Sequence, residues 1–148
     1  MNLRLFVSAF AVAVAFSVPA HANPFGTSES SCVAAAEASA KQYEHEQKII
    51  WGKMGGTIQD FKQQRYFNSW KGLCLLDVRF KIAQGGKIVT TRYLVDSFER
   101  RIYGTYYGVG EGGGASRSLT CNYGVAFNEA GHCDGEDEFE TVISQLVK

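Results

Sequence analysis

Between Cys74 and Ile82 the chain alternates, with apolar side chains at every even position and Asp77, Arg79 and Lys81 at odd ones. A strand sends successive side chains to opposite faces, so the pattern predicts a strand with one face buried and the other wetted by charge. Cys74 then points into the core. Gln84-Gly85-Gly86-Lys87 puts two glycines where a tight hairpin needs positive φ, and residues 88–95 are expected to return antiparallel. A second turn at residues 96–100 leads into Ile102-Tyr103-Gly104-Thr105-Tyr106-Tyr107, whose β-branched and aromatic residues suit a pleated surface. The two faces of that segment are equally apolar, and the pattern leaves open which one lies inside.

Upstream, Val33, Ala36, Ala40 and Tyr43 recur at three- and four-residue steps beside Cys32, which predicts a helix, with the serines before it available as caps. Its expected end is before Gly52, with Lys53-Met54-Gly55-Gly56 as the break. Residues 57–65 hold only Ile58 and Phe61 as apolar side chains and read as a short helix or a loop. Tyr66-Phe67-Asn68 is then the first strand, and Ser69-Trp70-Lys71-Gly72 the turn into the Cys74 strand. Residues 108–116 form a glycine-rich surface loop in this reading, and residues 121–133 a cystine loop carrying Tyr123, Val125 and Phe127. A final helix follows. Asp134 is its expected cap, Glu136, Asp137 and Glu138 occupy the first turn where the helix dipole favours negative charge, and Phe139, Val142, Ile143, Leu146 and Val147 make an apolar stripe. Both helices are assigned to the same apolar sheet face. The expected fold is α+β: an N-terminal helix, a three- or four-stranded antiparallel meander, a C-terminal amphipathic helix and two disulfides.

The first residues change where this fold is expected to work. Arg4 precedes an apolar run from Leu5 to Val18, and Pro19-Ala20-His21-Ala22 ends in small residues at the positions a signal peptidase reads. Residues 1–22 are therefore expected to be a secretory signal, and residues 23–148 one domain in the periplasm or outside the cell. No later segment approaches the roughly 20 apolar residues of a spanning helix. No cysteine stands immediately after the expected cleavage point, where Asn23 follows Ala22, which speaks against a lipid anchor on the new amino terminus. The remaining 126 residues carry 14 basic and 15 acidic side chains, and nothing in that balance predicts a nucleic-acid or anionic-membrane partner. Cys32, Cys74, Cys121 and Cys133 all lie in the mature part, and an even count in an exported chain predicts two disulfides. Of three pairings, the reading favours Cys121 with Cys133, a local loop, and Cys32 with Cys74, which would staple the first helix to the sheet.

The sequence offers four candidate chemistries. Gly108-Val109-Gly110-Glu111-Gly112-Gly113 fits a dinucleotide fingerprint after a strand, but the helix that should follow is missing, so no cofactor is expected. His132, Cys133, Asp134, Glu136 and Asp137 cluster, yet a disulfide-bonded cysteine is no thiolate ligand and the spacing fits no standard zinc motif, so no metal is expected. Hydrolysis would have to use His132 with nearby acids, since His45 reads as a solvated helix residue and no serine sits in a nucleophile elbow. The aromatic excess is the stronger signal. Trp70, Tyr103, Tyr106 and Tyr107, if exposed together, would offer a protein, peptide or glycan surface, because rigid rings give contact area at low entropic cost.

The run of Tyr66-Phe67-Asn68, Cys74, the acidic turn of Asp96 and Glu99, the Tyr103 to Tyr107 strand and the Cys121 to Cys133 segment before Glu138-Phe139 resembles small exported bacterial proteins of uncharacterised families. The resemblance spans the later two thirds of the mature chain. It implies export, disulfides and an α+β meander, and it brings no catalytic residue. The expected function is a non-catalytic module binding a protein, peptide or envelope ligand, with a small exported hydrolase using His132 as the rival.

Overall fold

The computed structural model describes residues 28–111, 117–124 and 131–148. The expected signal at 1–22, residues 23–27, the tip of the glycine-rich segment at 112–116 and residues 125–130 with Val125 and Phe127 lie outside the described residues.

Helix α1 spans Glu29–Lys53. Its start follows from a serine pair: Ser28 Oγ accepts the Ser31 N–H at 3.2 Å, and Ser31 Oγ accepts the Ser28 N–H at 3.1 Å, so two otherwise unpaired donors are satisfied reciprocally. The helix runs through Gly52 rather than stopping before it, and Met54 and Gly56 both donate to the Trp51 carbonyl as the chain turns over Gly55, at φ 75°. Cys32, Ala36 and Ala40 are buried as the periodicity predicts, Val33 and Tyr43 are only half-buried, and Trp51, outside that pattern, is buried as well.

Six antiparallel strands follow among the described residues, in the simple order β1-β2-β3-β4-β5-β6. They are β1 Thr57–Asn68, β2 Leu73–Gln84, β3 Lys87–Asp96, β4 Ile102–Glu111, β5 Arg117–Tyr123 and β6 Gly131–His132, before helix α2 at Glu136–Leu146. Three or four strands was an undercount. Residues 57–65 are strand, not helix or loop, and β4 extends through Gly108 and Gly110 to Glu111 against Lys87. The hairpin over Gly85 (φ 56°) and Gly86 (φ 77°) is as predicted and sets Gln84 opposite Lys87. At the other end Asp96 Oδ1 accepts the N–H groups of Phe98 and Glu99, fixing the turn into β4.

The helices do not share a face. Cys74, Leu76, Val78, Phe80 and Ile82 of β2 pack under α1 with Val89 and Val95, whereas Leu75, Leu94, Tyr103 and Tyr106 pack under α2 with Phe139 and Ile143. An alternating strand has two faces, and this sheet buries apolar side chains on both. Both expected disulfides are present, one per face: Cys32–Cys74 ties α1 to β2 and Cys121–Cys133 ties β5 to the segment before α2. Gly135, not Asp134, is the N-cap of α2, and Glu138 instead reaches back to accept the Asp134 N–H at 2.7 Å.

Coverage is partial on each side. Helix α1 lies over β1 and β2, and α2 over β4 and β5. Among the described residues, each helix therefore leaves part of its sheet face without a second layer, on opposite sides of the sheet. Strand β1 is the outer margin; its pairing with β2 slips at Gln59, between Ile58 and Asp60, and it carries Lys62 and Arg65.

Candidate functional site

On the α1 side, the bare half is built by β3, β4 and β5 beyond the end of the helix. Tyr107 and Val109 on β4 and Val89 on β3 form its floor, and Trp51 of α1 stacks on Tyr107 with ring planes 8° apart and centroids 6.5 Å apart. The register between β4 and β5 shifts beside Gly108, so Leu119 has no opposite residue on β4, and it is 55% exposed. Gln84, Lys87, Glu111 and Arg117 complete the lining of a hollow of about 620 Å³. An apolar floor with a rim of both charges has the polarity to receive a segment that is apolar in its middle and polar at its ends.

On the α2 side, the bare half belongs to β1, β2 and β3 and is charged. Asp77 and Arg92 are each 5% exposed, so the odd-position charges of β2 are not simply wetted as expected. Arg92 is held by three carboxylates: Nη2 lies 2.5 Å from Asp77 Oδ2 and 2.6 Å from Glu140 Oε2, and Nη1 lies 3.4 Å from Glu136 Oε1. Its guanidinium also sits 5.4 Å from the centroid of the Phe139 ring. Arg79 Nη2 reaches Glu136 Oε1 at 2.9 Å, while Arg79 Nε is buried without an acceptor. Burial lowers the Arg92 pKa, but the hydrogen bonds and charges of Asp77 and Glu140 outweigh it and hold the guanidinium charged. Asp77 behaves oppositely. Burial raises its carboxyl, and the shared Arg92 offsets this only in part. The neighbouring Tyr66 phenol is raised by burial and then by the charges of Asp77 and Glu140. Asp77, Arg79, Arg92, Glu136 and Glu140, with Lys62, Gln63, Gln64 and Asp137, line a second hollow of about 570 Å³.

No family model, curated protein or solved structure matches this chain.

The four aromatic residues singled out in the sequence are not brought together. Trp70 stands 98% exposed in the turn between β1 and β2, Tyr103 and Tyr106 are buried beneath α2, and Tyr107 is half-buried on the other face. A contiguous Trp70–Tyr103–Tyr106–Tyr107 surface therefore does not form, because residues 103 and 106 are committed to packing. His132 is exposed on β6, in a shallow hollow with Ser118, Thr120, Asn122 and Asp134. Among the described residues no hydrogen bond joins it to a carboxylate or hydroxyl, and no group of three His, Cys, Asp or Glu side chains could hold a metal ion. No described helix is long and apolar enough to cross a membrane. Val89, Val109, Leu119 and the Arg92 cluster were missed in the sequence. Their signal lay in the register: a hairpin that pairs Gln84 with Lys87 also pairs Arg79 with Arg92.

Proposed function

We propose that this is an exported, periplasmic or secreted, non-catalytic module that binds a peptide segment of a protein on the bare half-face beside α1. The observation that carries the reading is Leu119, an exposed apolar side chain placed next to Tyr107 and Val109 in the 620 Å³ hollow. Apolar side chains left in contact with each other and with water favour an apolar partner, worth about 25 cal/mol for each Å² covered. Lys87, Arg117 and Glu111 at the rim would fix direction through the partner's charges. Two disulfides fit an oxidising compartment.

Trp51 reports on this site because it stacks on Tyr107. In a Trp70→Phe background, the oxidised mature protein is titrated with hexapeptides that have an apolar centre and charged ends, while Trp51 emission is followed. Saturable quenching or shift is expected, and Leu119→Glu should weaken it at least about tenfold. An unresponsive Trp51, or equal affinity in Leu119→Glu, rejects the site. Turnover of a model ester, peptide or glycan that is lost in His132→Ala would favour the hydrolase reading instead.

A further inference from the structure

The second bare half-face carries an arrangement that packing does not ask for. Lys62 on β1 is directly opposite Arg79 on β2, and Arg79 is directly opposite Arg92 on β3. Three cations thus form one row across three strands, and like charges directly opposite each other destabilise a sheet. Their compensation grows thinner toward the margin. Among the described residues, Arg92 pairs with Asp77, Glu136 and Glu140, Arg79 pairs with Glu136 alone, and Lys62 with Asp60 alone at 3.8 Å. Arg79 keeps a buried Nε donor with no acceptor, and its side chain lines the 570 Å³ hollow together with Lys62 and Gln64.

We propose that the Lys62–Arg79 part of this row is a binding site for a carboxylate-bearing ligand, and that Glu136 occupies it as an internal stand-in when the ligand is absent. The present occupant of Arg79 is itself a carboxylate, at 2.9 Å through Oε1 and 3.1 Å through Oε2, so the guanidinium edge already accepts that chemistry. Glu136 sits at the first position of α2 with its side chain partly exposed, so a swing to water would release Arg79 and the 3.4 Å contact to Arg92, which keeps Asp77 and Glu140, while Phe139 and Ile143 stay seated beneath the helix. Exchange of one carboxylate for another leaves the charge of the site unchanged. That matters because Asp77, Asp137 and Glu140 also line the hollow, and an anion added on top of Glu136 would meet their repulsion. Affinity is then reduced by the fraction of molecules in which Glu136 is seated, so removing Glu136 should tighten binding.

The probes are acetate and inorganic phosphate at constant ionic strength, added to the oxidised mature protein, with the Arg79 Nε–Hε resonance as readout. Expected are a saturable shift with acetate, at least about fivefold tighter binding in Glu136→Ala, and at least about threefold weaker binding in Lys62→Ala with an unchanged unfolding midpoint. A purely structural Glu136 would lower the unfolding midpoint on substitution and leave acetate affinity where it was, which overturns the proposal. So does an Arg79 resonance that never saturates, or tighter binding of phosphate than of acetate. Should Glu136→Ala not fold, unaltered acetate affinity in Lys62→Ala is sufficient to reject the site. This site lies on the opposite face from Leu119, and its failure leaves the peptide reading standing.

Discussion

Asp77 and Arg92 meet diagonally across β2 and β3 with both side chains 6% exposed, yet burial acts on them in opposite senses. Arg92 has three carboxylates to hold its charge, whereas Asp77 has mainly a share of Arg92 against the cost of leaving water. Removing Arg92 strands the buried Asp77, so Arg92→Ala should destabilise by about 3 to 5 kcal/mol. Denaturant titration of the variant checks this, and a loss below about 1 kcal/mol would contradict the cluster as described.

The same pair gives a pH dependence. The Asp77 carboxyl is raised above its ordinary 3.8, so between that value and the folded one the native state holds more of this proton than the unfolded state does. The contribution from Asp77 is therefore fully present below pH 3.8 and is lost as pH rises through the raised value. Asp77→Asn has no such proton. The stability difference between wild type and Asp77→Asn should fall as pH rises through this window, and a flat difference in denaturant midpoints from pH 3 to 7 would refute it.

The disulfides close loops of different length. Cys32 and Cys74 are 42 residues apart and Cys121 and Cys133 are 12 apart. Loop entropy then assigns a loss of about 4 kcal/mol to Cys32→Ala with Cys74→Ala, and about 3 kcal/mol to Cys121→Ala with Cys133→Ala. Unfolding of the two double variants in guanidinium tests the order, and peptide mapping without reductant should recover these two pairings and no other.

Two glycines should respond with opposite signs. A Cβ on Gly104 would lie 2.8 Å from the Phe139 ring, which is fully buried, so Gly104→Ala should cost about 1 to 3 kcal/mol. A Cβ on Gly52 in α1 would meet nothing within 4 Å, and Gly52→Ala should stabilise by about 0.5 to 1 kcal/mol. Thermal unfolding of both proteins decides.

Much of the fold could be read from residue order, and the failures have physical causes. The alternation of β2 was legible because its even positions meet α1 continuously. In β4 it was not, since Tyr106 packs under α2 while Tyr107 stacks under α1, so each face is apolar in its own right. Residues 57–65 escaped recognition for two reasons: the slip at Gln59 breaks the two-residue period between Ile58 and Phe61, and Lys62 and Gln64 look onto the charged bare half-face. Gly108 and Gly110 suggested a loop, but Gly108 leaves the space that the Tyr106 ring fills, which is a reason for glycine inside a strand. The cationic row needed pairing between strands, a property of no single segment.

The slip at Gln59 and the basic residues that follow it have one last consequence. Twelve residues of β1 run along the sheet's outer margin, a length that invites another chain to add itself strand by strand. An interrupted hydrogen-bonding rhythm, followed by Lys62 and Arg65, makes that margin a poor template, so concentrated solutions of the folded protein should resist growth into fibrils.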